Sequence, residues 1–515
     1  MKTRFDVLVI GGGSAGSVIA SRLSEDKACE VGLIEAGQLP ADPDIADPLK
    51  WPALQGRSYD WDYKTVPQPF TANRIHDWAR GRLLGGSSCL NAMAHVRGHP
   101  EDFMAWGEAG GARWSHDGLL DGFNRAEDCS GPGTAGNVRG GPFPVYLPGG
   151  EVSPVVRAYM ESGARLGVPR LGNHNGSELA GIAPNSLNIR NGRRVTVADA
   201  YLPPAVMARP NLTLLLGHEV EQIIFDGRHA VGVNSVAGGQ VSTLYASRIV
   251  LCAGAIGTPL LLMRSGIGPR ETLTAAGIHC RHSLPGVGEN LQDHMLALGN
   301  VYAAKQPVPP SRLQHSESLM YLHSHDITQA KGAPDIVLAC VVAPSVTREF
   351  TAPPYGSAYT FLCGVTHPTS RGTIRPSGPG RADHPVIDPR YLSTEYDRST
   401  FRAAIRTARL VGRQAALDEW RSHEVLPGKA VTTDAGLDLF ISLAASTHHH
   451  PAGTCRMGGD DESVVDADLA VHGLTGLNVV DASVFPTLPS GPIQAAVLAV
   501  AETWTQLVRK TPLPA

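Results

Sequence analysis

Near the C-terminus, Ser446-Thr447-His448-His449-His450-Pro451 places two imidazoles two positions apart. On an extended segment residues i and i+2 share a face, so His448 and His450 address one substrate while His449 points away. Imidazole is the side chain best matched to taking a proton near neutral pH. An alcohol gives up a hydride from carbon readily only as its hydroxyl proton leaves, so the pair suits alcohol oxidation. A metal site is the rival reading, but His-x-His supplies two ligands, and no third His, Cys or carboxylate stands nearby at a usual spacing. No metal is expected.

A second group of residues suits a dinucleotide. Gly11-Gly12-Gly13-Ser14-Ala15-Gly16 fits GxGxxG, in which glycines allow a tight turn, close approach of backbone NH groups to a pyrophosphate, and close packing of helix on strand. Gly11, Gly13 and Gly16 are the expected contacts. Glu35 closes the following apolar run, where an acid binds a ribose hydroxyl and disfavours a 2'-phosphate. The fingerprint leaves FAD and NAD both open. Gly81-Arg82-Leu83-Leu84-Gly85-Gly86-Ser87-Ser88-Cys89-Leu90-Asn91 adds a second glycine loop, with NH groups for phosphate or a flavin edge and hydroxyls that can cap a helix. A fold with a single NAD site has little use for it.

The elements that must hold these residues are legible in outline. Phe5 to Ile10 and Val31 to Ile34 are short, nearly continuous apolar runs, as expected of parallel strands buried on both faces, and a helical pattern lies between them. They form the first βαβ unit of a doubly wound sheet. Val220 to Val236 reads as a hairpin about Asp226-Gly227, Arg248 to Cys252 and Leu477 to Asp481 as further strands, and Ile493 onward as a closing helix. Leu39 to Phe70 is expected to be irregular, and Cys129 to Gly150, rich in Gly and Pro, to be a crossover between domains. Residues 300 to 445 carry polar runs, Pro clusters and alternating stretches such as Ala358 to Cys363 and Gly372 to Arg375, which suit an antiparallel sheet over the ligand.

The fold class is therefore α/β: a doubly wound, Rossmann-like domain from 1–150, 195–300 and 445–515, interleaved with an antiparallel-sheet substrate domain from 151–194 and 301–444 that also carries helices. The length of 515 residues agrees with more than one core. A formal charge of -4 without a basic run gives no footprint for nucleic acid or an anionic membrane. Glu502 and Gln506 interrupt the most apolar helix, which is too short to span a bilayer. The eight scattered cysteines read as reduced thiols, and no leader precedes the first strand, so a cytoplasmic protein is expected, and a monomer.

The motifs taken together resemble the glucose-methanol-choline (GMC) oxidoreductases. The resemblance rests on Gly81 to Asn91, on Gly254-Ala255-Ile256-Gly257-Thr258-Pro259 through Gly268, and on Leu284 through Asn290-Leu291-Gln292-Asp293-His294. It continues through His450-Pro451-Ala452-Gly453-Thr454 to Asp481-Ala482-Ser483-Val484-Phe485-Pro486 and Ser490-Gly491. It implies FAD, a hydroxyl substrate and hydride transfer to flavin N5 with His450 as general base. It also implies cofactor contacts at Gly85, Gly86, Asn91, Val220 on the adenine side, Asp481, Ala482 and Gln494, besides Gly11, Gly13, Gly16 and Glu35.

Three positions depart from the family pattern. Leu90 stands where some relatives carry a flavin-linking histidine, so the FAD is expected to be noncovalent. His95 replaces an aromatic residue and has no evident role. Pro492 stands where the family has a second His or Asn; its ring cannot hydrogen-bond but offers a flat wall to an aromatic substrate, which leaves His448 as the second polar contact. The set His448, His450 and Pro492 is similar to that of members oxidising a hydroxymethyl group on a pyridine ring with O2 as acceptor and H2O2 as product. Dehydrogenases of choline-like or aliphatic alcohols with another acceptor, and lyases that hold FAD without redox turnover, are the alternatives within the family.

Overall fold

Val7, Leu8, Val9 and Ile10 are fully or almost fully buried in the computed structural model, which describes residues 2–133 and 138–510. They lie in the strand Arg4–Ile10, and their burial on both faces explains why the run is apolar without alternation. The strand pairs in parallel with Val31–Glu35 and Gln240–Leu251, with Val7 opposite Val31 and Val9 opposite Val250. The sheet runs in the order Leu212–Leu216, Val31–Glu35, Arg4–Ile10, Gln240–Leu251, His229–Ala237, Glu219–Asp226, and Leu477–Val479 also joins Gln240–Leu251 in parallel. The expected hairpin is present and extends the sheet antiparallel. Helix Ser14–Leu23 packs against the C-terminal helix Gln494–Lys510, whose Ala495 to Ala501 are buried. Each large apolar side chain buried in this way stabilises by about 1.5–3 kcal/mol.

The second sheet is antiparallel throughout, in the order Arg421–Leu426, Met295–Ala304, Ala358–Val365, Ile336–Val341, Ser316–Leu322, Gly181–Pro184, and Ala445–Thr447 pairs with the start of Met295–Ala304. Residues 295–300 and 445–447, which the sequence division put with the nucleotide segments, are thus strand residues of this sheet. The strand Met295–Ala304 runs on through Gly299 and Asn300, the pair at which the expected boundary was drawn. The expected crossover between Cys129 and Gly150 includes residues 134–137, outside the described residues; its described part contains the short parallel pair Glu127–Ser130 and Phe143–Tyr146. All eight cysteines are unpaired. Among the described residues no helix is long and apolar enough to cross a membrane.

Candidate active site

Between the two sheets lies a cleft of about 810 Å³. At one end the two glycine loops touch. Gly85 N donates to Gly12 O at 2.7 Å, and a Cβ on Gly86, whose φ is +54°, would stand 2.7 Å from Gly13 Cα. A Cβ on Gly13 would meet nothing nearer than 3.9 Å, because that position opens on the cleft. Gly13 also begins helix Ser14–Leu23, whose first turn has no side-chain cap and no acidic residue. Its free NH groups and the helix dipole suit an anion.

Gly11, Gly13, Glu35, Gly86, Asn91, Val220, Asp481, Ala482, Gln494, His448, His450 and Pro492 all line the cleft. Gly16 and Gly85 do not line it but shape the turns that do. A Cβ on Gly16 would lie 1.9 Å from Gly11 O, so this glycine lets the helix close on the turn, and Gly85 holds one loop on the other. Glu35 Oε2 accepts from Gly12 N and Oε1 from Gly37 N, both at 2.8 Å. Burial pushes its carboxyl up to about 7 against those bonds. Asp481 has a structural task as well: Oδ2 accepts from Gly254 N and Thr258 Oγ1, and Oδ1 from Ser483 N.

The middle of the cleft is organised by a chain of amides. Arg194 donates to Asn91 Oδ1 at 2.6 Å, so the Asn91 amide nitrogen is left to donate, and it does so to Gln494 Oε1 at 2.7 Å. That bond turns Gln494 Nε2 outward, and Nε2 is buried without a partner. A buried orphan donor on the wall of a cleft fits a ligand rich in acceptors. The uncapped helix turn, the glycine cradle, Glu35 and this donor suit an FAD spread along the cleft.

At the far end the histidines converge. Their segment is not a regular strand beyond Thr447, because His449 has φ +61°; the rings of His448 and His450 meet all the same, with centroids 4.3 Å apart. His449 also lines the cleft rather than facing away, and its carbonyl accepts from Arg80 at 2.5 Å. Asp293 holds the turn: Oδ1 accepts from His450 N at 2.7 Å, and Oδ2 from Thr447 Oγ1 at 2.6 Å and from the Tyr391 hydroxyl. Burial pushes the Asp293 carboxyl up to about 6 against these bonds.

His294 completes the cluster. Nitrogen atoms of His294, His448 and His450 lie within 4.8 Å of one another, close enough to hold a metal ion, so the premise that no third ligand stands nearby fails. The third ring comes from 156 positions away. Burial keeps all three rings neutral, holding His294 and His448 down at about 3 and His450 well below the ordinary imidazole range.

Alternating residues of the antiparallel strands form the remaining wall: Leu319 and Tyr321, Val337, Ala339 and Val341, Leu362. Pro492 closes it opposite. Its approach is fixed by Asp102, which accepts from Ser490 N at 2.6 Å and from Ser490 Oγ at 2.8 Å. His95 lies off the cleft. Its Nε2 is 3.0 Å from Glu127, and although burial pushes this carboxyl up, His95 and Arg97 hold it down at about 2. Sequence reasoning passed over Arg194, Asp293, His294 and Tyr391. Only Asp293 and His294 carried a signal, their place in a recognised motif.

The GMC oxidoreductase family models match residues 5–296 and 368–501. The chain is 53% identical over 503 residues to the pyridoxine 4-oxidase of Microbacterium luteolum, covering 98% of this chain and 99% of that one. It is 37% identical to the oxygen-dependent choline dehydrogenase of Pectobacterium atrosepticum, covering 99% and 96%. The crystal structure of pyridoxine 4-oxidase from Mesorbium loti superposes with a TM-score of 0.96 at 53% identity, over 99% of this chain and all of that one.

Proposed function

The chain belongs to the GMC oxidoreductases, and from that membership we propose that it is an FAD-dependent alcohol oxidase converting pyridoxine and O2 to pyridoxal and H2O2. The observation that carries the substrate assignment is the set His448, His450 and Pro492 closing one apolar pocket, in a chain so similar throughout to pyridoxine 4-oxidases.

The pyridine ring lies against Pro492, and His448 donates to or accepts from a ring hydroxyl. His450 takes the proton of the 4-hydroxymethyl group, for which its neutral, buried ring is ready. FAD, when bound, would supply the hydride acceptor and the route for the electron pair to O2. The flat walls and the neighbouring strands keep water out, which strengthens each polar contact. The glycine loops, Glu35, Asn91 and Gln494 hold the cofactor, without a covalent link because Leu90 lines the cleft with no nucleophile.

A choline-like substrate fits less well. The acidic residues on the cleft wall, Glu35, Glu219, Asp383 and Asp481, belong to its nucleotide end, and none of them lies among the strand residues of the substrate wall where a quaternary cation would sit. We read the protein further as a cytoplasmic monomer with a cofactor segment and a substrate segment divided near the boundaries given above.

Anaerobic mixing tests the reading. Pyridoxine should bleach the flavin, and air should restore its colour with one H2O2 formed per flavin. Bleaching without reoxidation assigns a dehydrogenase, and failure of every alcohol to bleach assigns a lyase. Acid precipitation should leave the FAD in the supernatant; flavin held in the pellet would refute the noncovalent assignment.

A further inference from the structure

His294 and His450 meet through nitrogens of the same name. Nδ1 of His294 lies 2.9 Å from Nδ1 of His450, and Nε2 of His294 lies 2.8 Å from the carbonyl oxygen of Thr366. A carbonyl only accepts, so Nε2 of His294 carries a hydrogen. A neutral imidazole has one N–H, so Nδ1 of His294 is an acceptor. The hydrogen between the rings therefore sits on Nδ1 of His450, and the lone pair of His450 is on Nε2.

We propose that His294 is a positioning residue: it fixes His450 in the Nδ1–H tautomer and so presents the Nε2 lone pair to the alcohol. The proposal rests on His450 being the base. The neutrality it requires is supported by burial, since His294 is 3% exposed and its ring is held down at about 3. The arrangement also survives the reaction. When Nε2 takes the alcohol proton, Nδ1 of His450 still donates to His294, now as a charge-assisted bond, and no ring has to turn.

Asp293 and His294 thus act as neighbours on the same base. Asp293 fixes its backbone through His450 N, and His294 fixes its ring. His294 O also accepts from His448 N at 2.8 Å, so the pair cannot drift apart without breaking the sheet contact.

Two substitutions separate the proposal from a merely structural role. His294→Asn can place an amide oxygen near the site of Nδ1, keeping the acceptor for His450. His294→Gln reaches the site of Nε2, keeping the bond to Thr366 but offering His450 nothing. Flavin reduction by pyridoxine in the holoenzyme should slow less than about tenfold with Asn and about 10²-fold with Gln, within the roughly 10²- to 10⁴-fold worth of a positioned base. In a His450→Ala background the Gln change should cost nothing more, because the two residues act as a unit. Equal losses for Asn and Gln, or an undiminished Gln effect without His450, would overturn the proposal.

A measurement independent of turnover uses the unaltered protein. The ¹⁵N spectrum of histidine-labelled protein should show His450 protonated at Nδ1 and His294 at Nε2, and the reverse pattern overturns the assignment even if the variants fail to fold. Activity lost on treating the holoenzyme with EDTA and regained with zinc would make the Nδ1 pair a metal site and overturn it too.

Discussion

Removing the imidazole of His450 should separate chemistry from binding more cleanly than any other change. His450→Ala is expected to slow flavin reduction by roughly 10²- to 10⁴-fold with flavin content kept, and rapid mixing with pyridoxine checks it; a loss under tenfold would take the residue out of the base role. Because burial holds this ring far below the ordinary imidazole range, it stays neutral as pH falls through about 6.5. The reduction rate should therefore show no acid limb between pH 7.5 and 6.5. Pro492→His restores the family's second imidazole but thickens the wall against which the pyridine lies, and a displacement of about 1 Å can cost on the order of 10²-fold. Slower reduction of pyridoxine is expected, and a faster variant would show that the position lacks a catalytic group. At this scale the pair His448 and His450 was legible because two positions suffice to relate them. His294 was not, since nothing in local spacing links residues 156 apart.

That link belongs to the elements. Met295 pairs with Thr447, so the antiparallel register carries His294 alongside His448 and turns a distant residue into a neighbour. Single-sequence patterns located the parallel strands at Arg4–Ile10, Val31–Glu35, the end of Gln240–Leu251 and Leu477–Val479, whose burial leaves them nearly continuously apolar, but passed over Leu212–Leu216, which is only partly buried. Most strands of the second sheet are also buried on nearly every residue, Ile336–Val341 throughout, and only Arg421–Leu426 at its edge is not, so alternation hints at an antiparallel sheet without naming the partners. The glycine loops offer a test of element against element. Gly86→Ala forces a Cβ to 2.7 Å from Gly13 Cα at a φ of +54°, so it should weaken folding by about 1–3 kcal/mol and lower flavin content. Gly13→Ala opens into the cleft, so the apoprotein should melt as before while the ratio of flavin to protein absorbance falls. Equal stability losses in the two variants would refute the distinction.

For the molecule as a whole, six wholly or partly buried imidazoles set the response to acid. His76, His174, His294, His448, His449 and His450 are all held down by burial, His76 at about 3 and His174 at about 4. The unfolded chain protonates these rings below about 6.5 and the folded one does not, so each costs about 1.4 kcal/mol per pH unit as pH drops below that value. Asp293 and Glu35, held up at about 6 and 7, and Asp481, also raised by burial, act the other way: their contribution is greatest in acid and is lost as pH rises through their folded-state values. Six against three gives a net loss. The apoprotein should melt lower at pH 5.5 than at pH 7.5, as calorimetry would show, and a higher melting point in acid would refute the balance.

The first sheet also has a bearing on how the protein is made. Its strand Arg4–Ile10 leaves the ribosome long before Leu477–Val479, Asp481 and Gln494, which finish the same sheet and cleft. A nascent chain therefore cannot take up its cofactor until residues 477–494 have emerged, and fragments that stop short of them should be colourless.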